Sequence, residues 1–241
     1  MSPRRGFLIV RVRSLTLAAA GAALLVSVTL PALADPQQPI QRREGAVTAA
    51  DLLASVRGCV RVSRNLYRSD ADTPAVIPVC GVDGAVHWKA DMDIDCDGRP
   101  SARCNRTTDP WFQPTTSFQQ SDGRHLRADT LPFIVVPARS RIWDYRDHGI
   151  TGGSIAAVIY GNRVQYAVVG DTGPQNTIGE ASYATAEGLG IRPAPRGGGV
   201  ASGVTYIVFE DSRVSPIERR EATVRQGEVL ARKLVGRRGS R

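Results

Sequence analysis

The sequence predicts a mainly β protein with short helices, on three observations. Five segments read as strands by length and pattern, at 86–94, 133–136, 154–160, 163–169 and 204–209. Gly161-Asn162 stands between two of them as a two-residue hairpin turn. Helical signals are confined to short stretches, mainly near the two ends. Residues 48–60 read as an amphipathic helix with Thr48 as N-cap and Asp51 three residues on. The run 163–169 leads into the turn Gly170-Asp171-Thr172-Gly173-Pro174, and Glu180 comes just before a short helix at 182–189 that ends at Gly190. Near the C-terminus, Ser215-Pro216-Ile217-Glu218 has the form of a capping box with Pro at the first helical position. That helix is expected to run to about Leu234 and to pack Ile217, Val224, Leu230 and Leu234 on the body, leaving 236–241 as a basic tail.

The N-terminus reads as an export signal. Arg4, Arg5, Arg11 and Arg13 precede an apolar run at 15–30, and Ala32-Leu33-Ala34 offers a small-residue cleavage site. Pro3-Arg4-Arg5-Gly6-Phe7-Leu8 reads either as a twin-arginine signal or as two ordinary arginines. A polar linker follows at 35–46, then one domain at 47–235. The net charge of +8 belongs to the ends: residues 35–210 hold 18 basic and 19 acidic side chains, so nucleic acid is not implied. All four cysteines, Cys59, Cys80, Cys96 and Cys104, follow the signal, and an even count in an exported chain reads as two disulfides. Three connectivities are possible. Cys59–Cys80 and Cys96–Cys104, each closing a local loop, are the expected pairs. Zinc is a weak competitor, because there is no CxxC pair and His87, His125 and His148 fall at no ligand spacing.

Asp171 and Glu180 are the candidate chemistry. Two carboxylates are the minimum machinery for hydrolysing a glycosidic bond, one protonating the leaving oxygen while the other handles water or the sugar. On spacing alone, the same residues read as an ordinary turn Asp and an ordinary helix-capping Glu. The wider text decides between the two. GDTGPQNTIGEASYATAEGLGI from Gly170, DMDIDCDG from Asp91, DPWFQPTTSF from Asp109, LPFIVVP from Leu131 and GVTYIVF from Gly203 together resemble glycoside hydrolase family 75, the fungal-type endo-chitosanases. The resemblance spans roughly residues 85–209 and implies a secreted bacterial member that cuts internal bonds of chitosan with inversion. It also implies Asp171 and Glu180 as the catalytic pair. The order strand, Asp-Xaa-Gly turn, acidic residue and short helix also looks like the double-psi β-barrel of expansins, family 45 cellulases and certain lytic transglycosylases. The expected fold is therefore a six-stranded double-psi-like barrel with N- and C-terminal helices. The same analogy favours Asp171 as the acid and Glu180 as the partner that directs water, with the reverse left open. A lytic transglycosylase and a non-catalytic expansin-like wall binder are the competing functions.

Asp91, Asp93, Asp95 and Asp97 alternate along one strand, which would line four carboxylates up on one face. Chitosan carries one ammonium per glucosamine, so Asp91, Asp93 and Asp95 are expected to bind substrate. Asp97, beside Gly98, reads equally as part of a solvated turn. Calcium is the minority reading: residues 93–98 match the first half of an EF-hand loop, but Cys104 stands where the closing Glu belongs. Trp88, Trp111, Phe112 and Tyr145 can stack on sugars, although such aromatics are mostly core. Trp111, with Asp109 beside it, is the expected sugar contact. Gly152-Gly153-Ser154-Ile155-Ala156 falls short of a nucleophile elbow, and Gly197-Gly198-Gly199 lacks the Lys of a phosphate loop. Asn105-Arg106-Thr107 is a glycosylation sequon. No cofactor or resident metal is expected, and the mature chain is expected to act as a monomer.

Overall fold

Six strands close into a barrel because each finds partners on both edges. The computed structural model describes residues 46–239, so the expected signal peptide and nearly all of the linker lie outside the described residues. The strands are β1 (Val60–Arg61), β2 (Cys80–Val82), β3 (Ala85–Asp95), β4 (Phe133–Pro137), β5 (Ile155–Tyr160), β6 (Arg163–Gly173), β7 (Glu180–Ser182) and β8 (Val200–Phe209). The helices are α1 (Ala49–Ser55), α2 (Tyr183–Leu189) and α3 (Arg220–Gly239), with a 3-10 turn at Tyr145–His148. Around the barrel the order is β3, β7, β4, β6, β5, β8, and β8 pairs back onto β3. The β3–β7 and β4–β6 pairs are parallel and the other four antiparallel. β1 and β2 form a short antiparallel extension on the first half of β3.

Alternation along the strands divides the core in two, since successive side chains point to opposite faces. Val86, Trp88, Met92, Ile134, Val136, Ala156, Val158, Ala167, Val169, Ala181, Val204, Tyr206 and Val208, drawn from all six barrel strands, share one buried cluster. Ala85, Phe133, Val135, Ile155, Ala157, Tyr166, Val168, Ile207 and Phe209 form the other, where Leu52 of α1 and Ala231 and Leu234 of α3 also lie. α2 ends on Gly190, whose φ of 71° is the left-handed conformation that favours glycine at a helix C-terminus.

Two helix boundaries differ from expectation. α1 has the expected N-terminus: Thr48 Oγ1 accepts from Asp51 N–H and Asp51 Oδ2 accepts from Thr48 N–H, both at 3.1 Å. It stops at Ser55 and not at 60, because Cys59 is tied to Cys80 and Val60-Arg61 pair with Gly81-Cys80. The expected capping box at Ser215 does not form. The Ser215–Pro216 peptide is cis, α3 starts only at Arg220, and the Glu218 carboxylate instead accepts from the backbone N–H and hydroxyl of Ser121. Ile217 and Leu234 are nonetheless buried, with Val224 and Leu230 packed against them. α3 also runs through most of the expected tail, and Arg237 Nη1 donates to the Asp83 carbonyl at 2.8 Å.

Both expected disulfides are present, Cys59–Cys80 and Cys96–Cys104, with sequence separations of 21 and 8. Loop-closure entropy assigns them about 3.3 and about 2.5 kcal/mol. The second closes the loop that leaves β3 at its acidic end. The double variant Cys96→Ser/Cys104→Ser should therefore melt about 5–10 °C below the parent. An unchanged melting curve under non-reducing conditions would show that this loop is held by packing alone.

Candidate active site

A one-residue slip in strand register aims the first candidate carboxylate. Along β4 and β6, Ile134 pairs with Val169 but Val135 pairs with Asp171, so Gly170 is skipped. Val169 lies in the all-strand cluster, and without the slip Asp171 would share that apolar face. The slip turns it onto the face of Val135, as β-bulges beside active sites do. Gly170 is required there, since a Cβ would stand 2.6 Å from Phe133 Cβ and 2.8 Å from Leu126 Cδ1. Asp171 therefore sits within β6, not on the expected turn. Glu180 likewise opens a strand, β7, instead of a loop.

Val135 also pairs with Glu180, across the other edge of β4. Asp171 and Glu180 thus flank one β4 residue, and register partners stand on the same face. Two inter-strand steps set their backbones about 9–10 Å apart. Gly173, two residues beyond Asp171, keeps that face open, because a Cβ there would meet Val135 Cγ1 at 3.1 Å and Glu180 Oε2 at 3.3 Å.

The surroundings treat the two carboxyls differently. Asp171 Oδ1 accepts from the backbone N–H of Ser117 at 2.8 Å and of Thr172 at 2.7 Å. Burial raises the Asp171 carboxyl above the usual range, while these donors and nearby His125 draw it back. Glu180 has no such donor among the described residues. Burial pushes it up to about 8, and the carboxylates of Asp93, Asp97, Asp171 and Asp109 add to the rise.

Three further carboxylates converge on the pair. Asp95 is buried and held well above the usual range, first by burial and then by Glu180, Asp171 and Asp97. Its Oδ1 accepts from Asp97 N–H at 2.5 Å. Asp97 Oδ1 accepts from Gln113 N–H at 2.7 Å, and burial holds this carboxyl at about 6. Asp109 is buried and accepts from Trp111 N–H at 2.9 Å. Trp111 itself is 84% exposed, whereas Trp88, Phe112 and Tyr145 are core. Asp91 and Asp93, at the other end of the acidic run, gather with Asp70, and Asp93 also presses on Glu180. The four aspartates therefore do not form one line on a strand face: β3 ends at Asp95, Asp97 lies beyond it, and Asp93 stands between the Asp70–Asp91 group and Glu180. Ser117 and His125 escaped the sequence reading, since nothing local marks a backbone amide as a carboxylate partner. Asp70 escaped it because Ser69-Asp70-Ala71-Asp72 reads as a solvated loop.

A closed barrel that sets two unlike carboxyls on strands flanking a third, within a buried acidic cluster, has the makings of a hydrolytic acid–base site. Residues 92–233, more than half of the chain, match the family described as fungal chitosanase of glycosyl hydrolase group 75, and the chain belongs to that family. It is 35% identical over 138 residues to endo-chitosanase C of Aspergillus oryzae, a match covering 55% of this chain and 33% of that protein. An endo-chitosanase of Aspergillus fumigatus is 27% identical over 142 residues, covering 54% and 60%, and another of Aspergillus oryzae 31% over 140, covering 53% and 56%. The chain therefore spans between a third and three-fifths of the length of these relatives. They also correct one expectation: the family is that of fungal chitosanases and these relatives are Aspergillus proteins, so the placing as a bacterial member does not stand.

Proposed function

We propose that the protein is a secreted endo-chitosanase that hydrolyses internal β-1,4 bonds of chitosan with inversion, using Glu180 as acid and Asp171 as base. One observation carries this reading. Burial and neighbouring carboxylates raise Asp95, Asp97 and Glu180, with Asp109 and Asp171 among the charges that press on them, yet among the described residues none of the five makes an ion pair. A substrate with one ammonium per sugar supplies the missing positive charge, and an acidic cleft draws such a polymer in. Membership of a chitosanase family points the same way.

The acid must hold a proton near neutral pH, and Glu180, raised to about 8, does. Its proton passes to the glycosidic oxygen as the bond from that oxygen to the anomeric carbon breaks. Asp171, whose Oδ1 accepts from two backbone N–H groups that oppose the rise caused by its burial, takes a proton from the water that attacks the opposite face of the sugar. Inversion needs about 6.5–9.5 Å between the carboxyls to seat that water, against about 5–5.5 Å for retention. Placement on either side of β4 supports the wider spacing. Asp97 and Asp109 pair with ammonium groups, and the exposed Trp111 ring stacks on a sugar face. The two parallel pairs, β3–β7 and β4–β6, support a double-psi type of barrel. The N-terminal sequence and the two disulfides support secretion, and no described helix is long and apolar enough to cross a membrane.

Proton NMR of a fresh chitosan digest tests the reaction. The first-formed reducing ends should be α-anomers. β-anomers would exclude inversion, and the absence of new reducing-end signals would exclude hydrolysis.

A further inference from the structure

Asp70, Asp91 and Asp93 each offer a carboxylate oxygen, and the three oxygens lie within 4.8 Å of one another. Calcium takes oxygen ligands at about 2.3–2.6 Å, so two ligands of one ion can stand no more than about 5.2 Å apart. The trio meets that limit. A second observation separates it from an ordinary acidic surface: Asp91 is only 5% exposed, and its Oδ1 has no hydrogen-bond partner. Glycine at 179 accommodates that oxygen, since a Cβ there would stand 2.0 Å from Asp91 Oδ1. Among the described residues, no Lys, Arg or His makes an ion pair with any of the three. A buried carboxylate beside two others, with no cation to answer it, must either hold a proton or gain a cationic ligand.

We propose that Asp70, Asp91 and Asp93 bind a calcium ion beside the candidate active site. All donors are hard carboxylate oxygens and one of them is fixed by burial, a set suited to calcium's flexible coordination shell. The ion would join the loop carrying Asp70 to β3. That loop already leans on the segment before Glu180, with Arg68 N–H donating to Asn176 O at 3.2 Å and Ile178 N–H to Arg68 O at 3.0 Å. Asp93 is the register partner of Glu180 on β7, and its N–H donates to Gly179 O at 2.8 Å. Ser69, Asp93, Gly179 and Glu180 line one cavity. Calcium would thus hold the segment leading into Glu180 without touching the reacting atoms.

The test uses protein stripped with chelator and desalted, titrated with calcium chloride alone in a calorimeter and melted with and without calcium. One site should appear, with Kd in the range of about 10⁻⁴–10⁻³ M seen in extracellular modules. Calcium at a hundredfold excess over Kd should raise the melting temperature by about 5–11 °C. Asp70→Asn and Asp93→Asn, both at exposed positions, should each weaken binding at least tenfold, while Glu180→Gln should leave it intact. No heat and no shift up to about 10 mM calcium would overturn the proposal, as would an equal shift in the Asp70→Asn/Asp93→Asn protein. Stabilisation by glucosamine hydrochloride and not by calcium, lost in that double variant, would overturn it in favour of an amine site. No substrate enters the readout, so failure to hydrolyse chitosan leaves the calcium result standing.

Discussion

Glu180→Gln should lower turnover on chitosan by about two to four orders of magnitude, and Asp171→Asn should do the same. Each amide keeps the size and much of the hydrogen bonding of the acid but can neither give nor take the proton. Losses of this kind fall on kcat and kcat/KM alike, because the interaction is made only in the transition state. The pH sign separates lost chemistry from lost fold. Burial holds the Glu180 carboxyl at about 8, against an ordinary 4.5. The folded state is therefore penalised increasingly as pH rises from about 4.5, and in full above about 8, where the buried group must ionise. Glu180→Gln escapes that penalty and should melt at or above the parent's temperature at pH 7 and beyond. Parental activity should fall as pH climbs through about 8 and the acid loses its proton. Near-parental turnover in Asp171→Asn would remove Asp171 from the reaction.

Trp88→Ala should be the most damaging single change to the barrel, costing about 3–5 kcal/mol. Trp88 is 1% exposed, stacks on Tyr206 with ring centroids 5.3 Å apart, and meets the edge of Trp143 at 6.3 Å. It also pairs in register with Tyr206 across β3 and β8, where the barrel closes. Tyr206 Oη donates to the Asp91 carbonyl at 2.9 Å, so a cavity at Trp88 reaches the backbone that carries the acidic strand. At 2–4 °C per kcal/mol, the melting temperature should drop by about 6–20 °C. Trp88→Phe should cost far less, because it keeps a ring and deletes an indole N–H that has no partner. A melting temperature within two or so degrees of the parent for Trp88→Ala would mean that the aromatic cluster does not hold the barrel shut.

Five strands were legible in the sequence, 133–136, 154–160 and 204–209 as nearly continuous apolar runs and 86–94 and 163–169 as apolar residues interleaved with polar ones. β7 was not. Its three residues, Glu180-Ala181-Ser182, have no pattern of their own and become a strand only because β3 and β4 stand on either side. The register slip at Gly170 was equally hidden, since period-two alternation says nothing of where a strand skips a residue. The acidic side chains were visible as types but not as groups. Asp97 and Asp109 reach Glu180 through a long segment between β3 and β4 with little regular structure, and its course depends on tertiary contacts such as Gly98 N–H to Gln113 O and Arg99 N–H to Leu126 O. The Ser215 capping box misled because a local motif was overruled by Glu218 turning to Ser121.

The central claim is that an uncompensated acidic cleft on this barrel hydrolyses a cationic polysaccharide. Release of reducing ends from chitosan, chitin and peptidoglycan, measured side by side with the parent and with Glu180→Gln, tests it most directly. Chitosan should be cut into oligomers with a rapid loss of viscosity, the rate at low substrate should fall as salt screens the ammonium groups, and Glu180→Gln should be nearly inert. Reducing ends released from chitin but not from chitosan, anhydro-sugar ends from peptidoglycan, or no cleavage of any of the three would contradict the account.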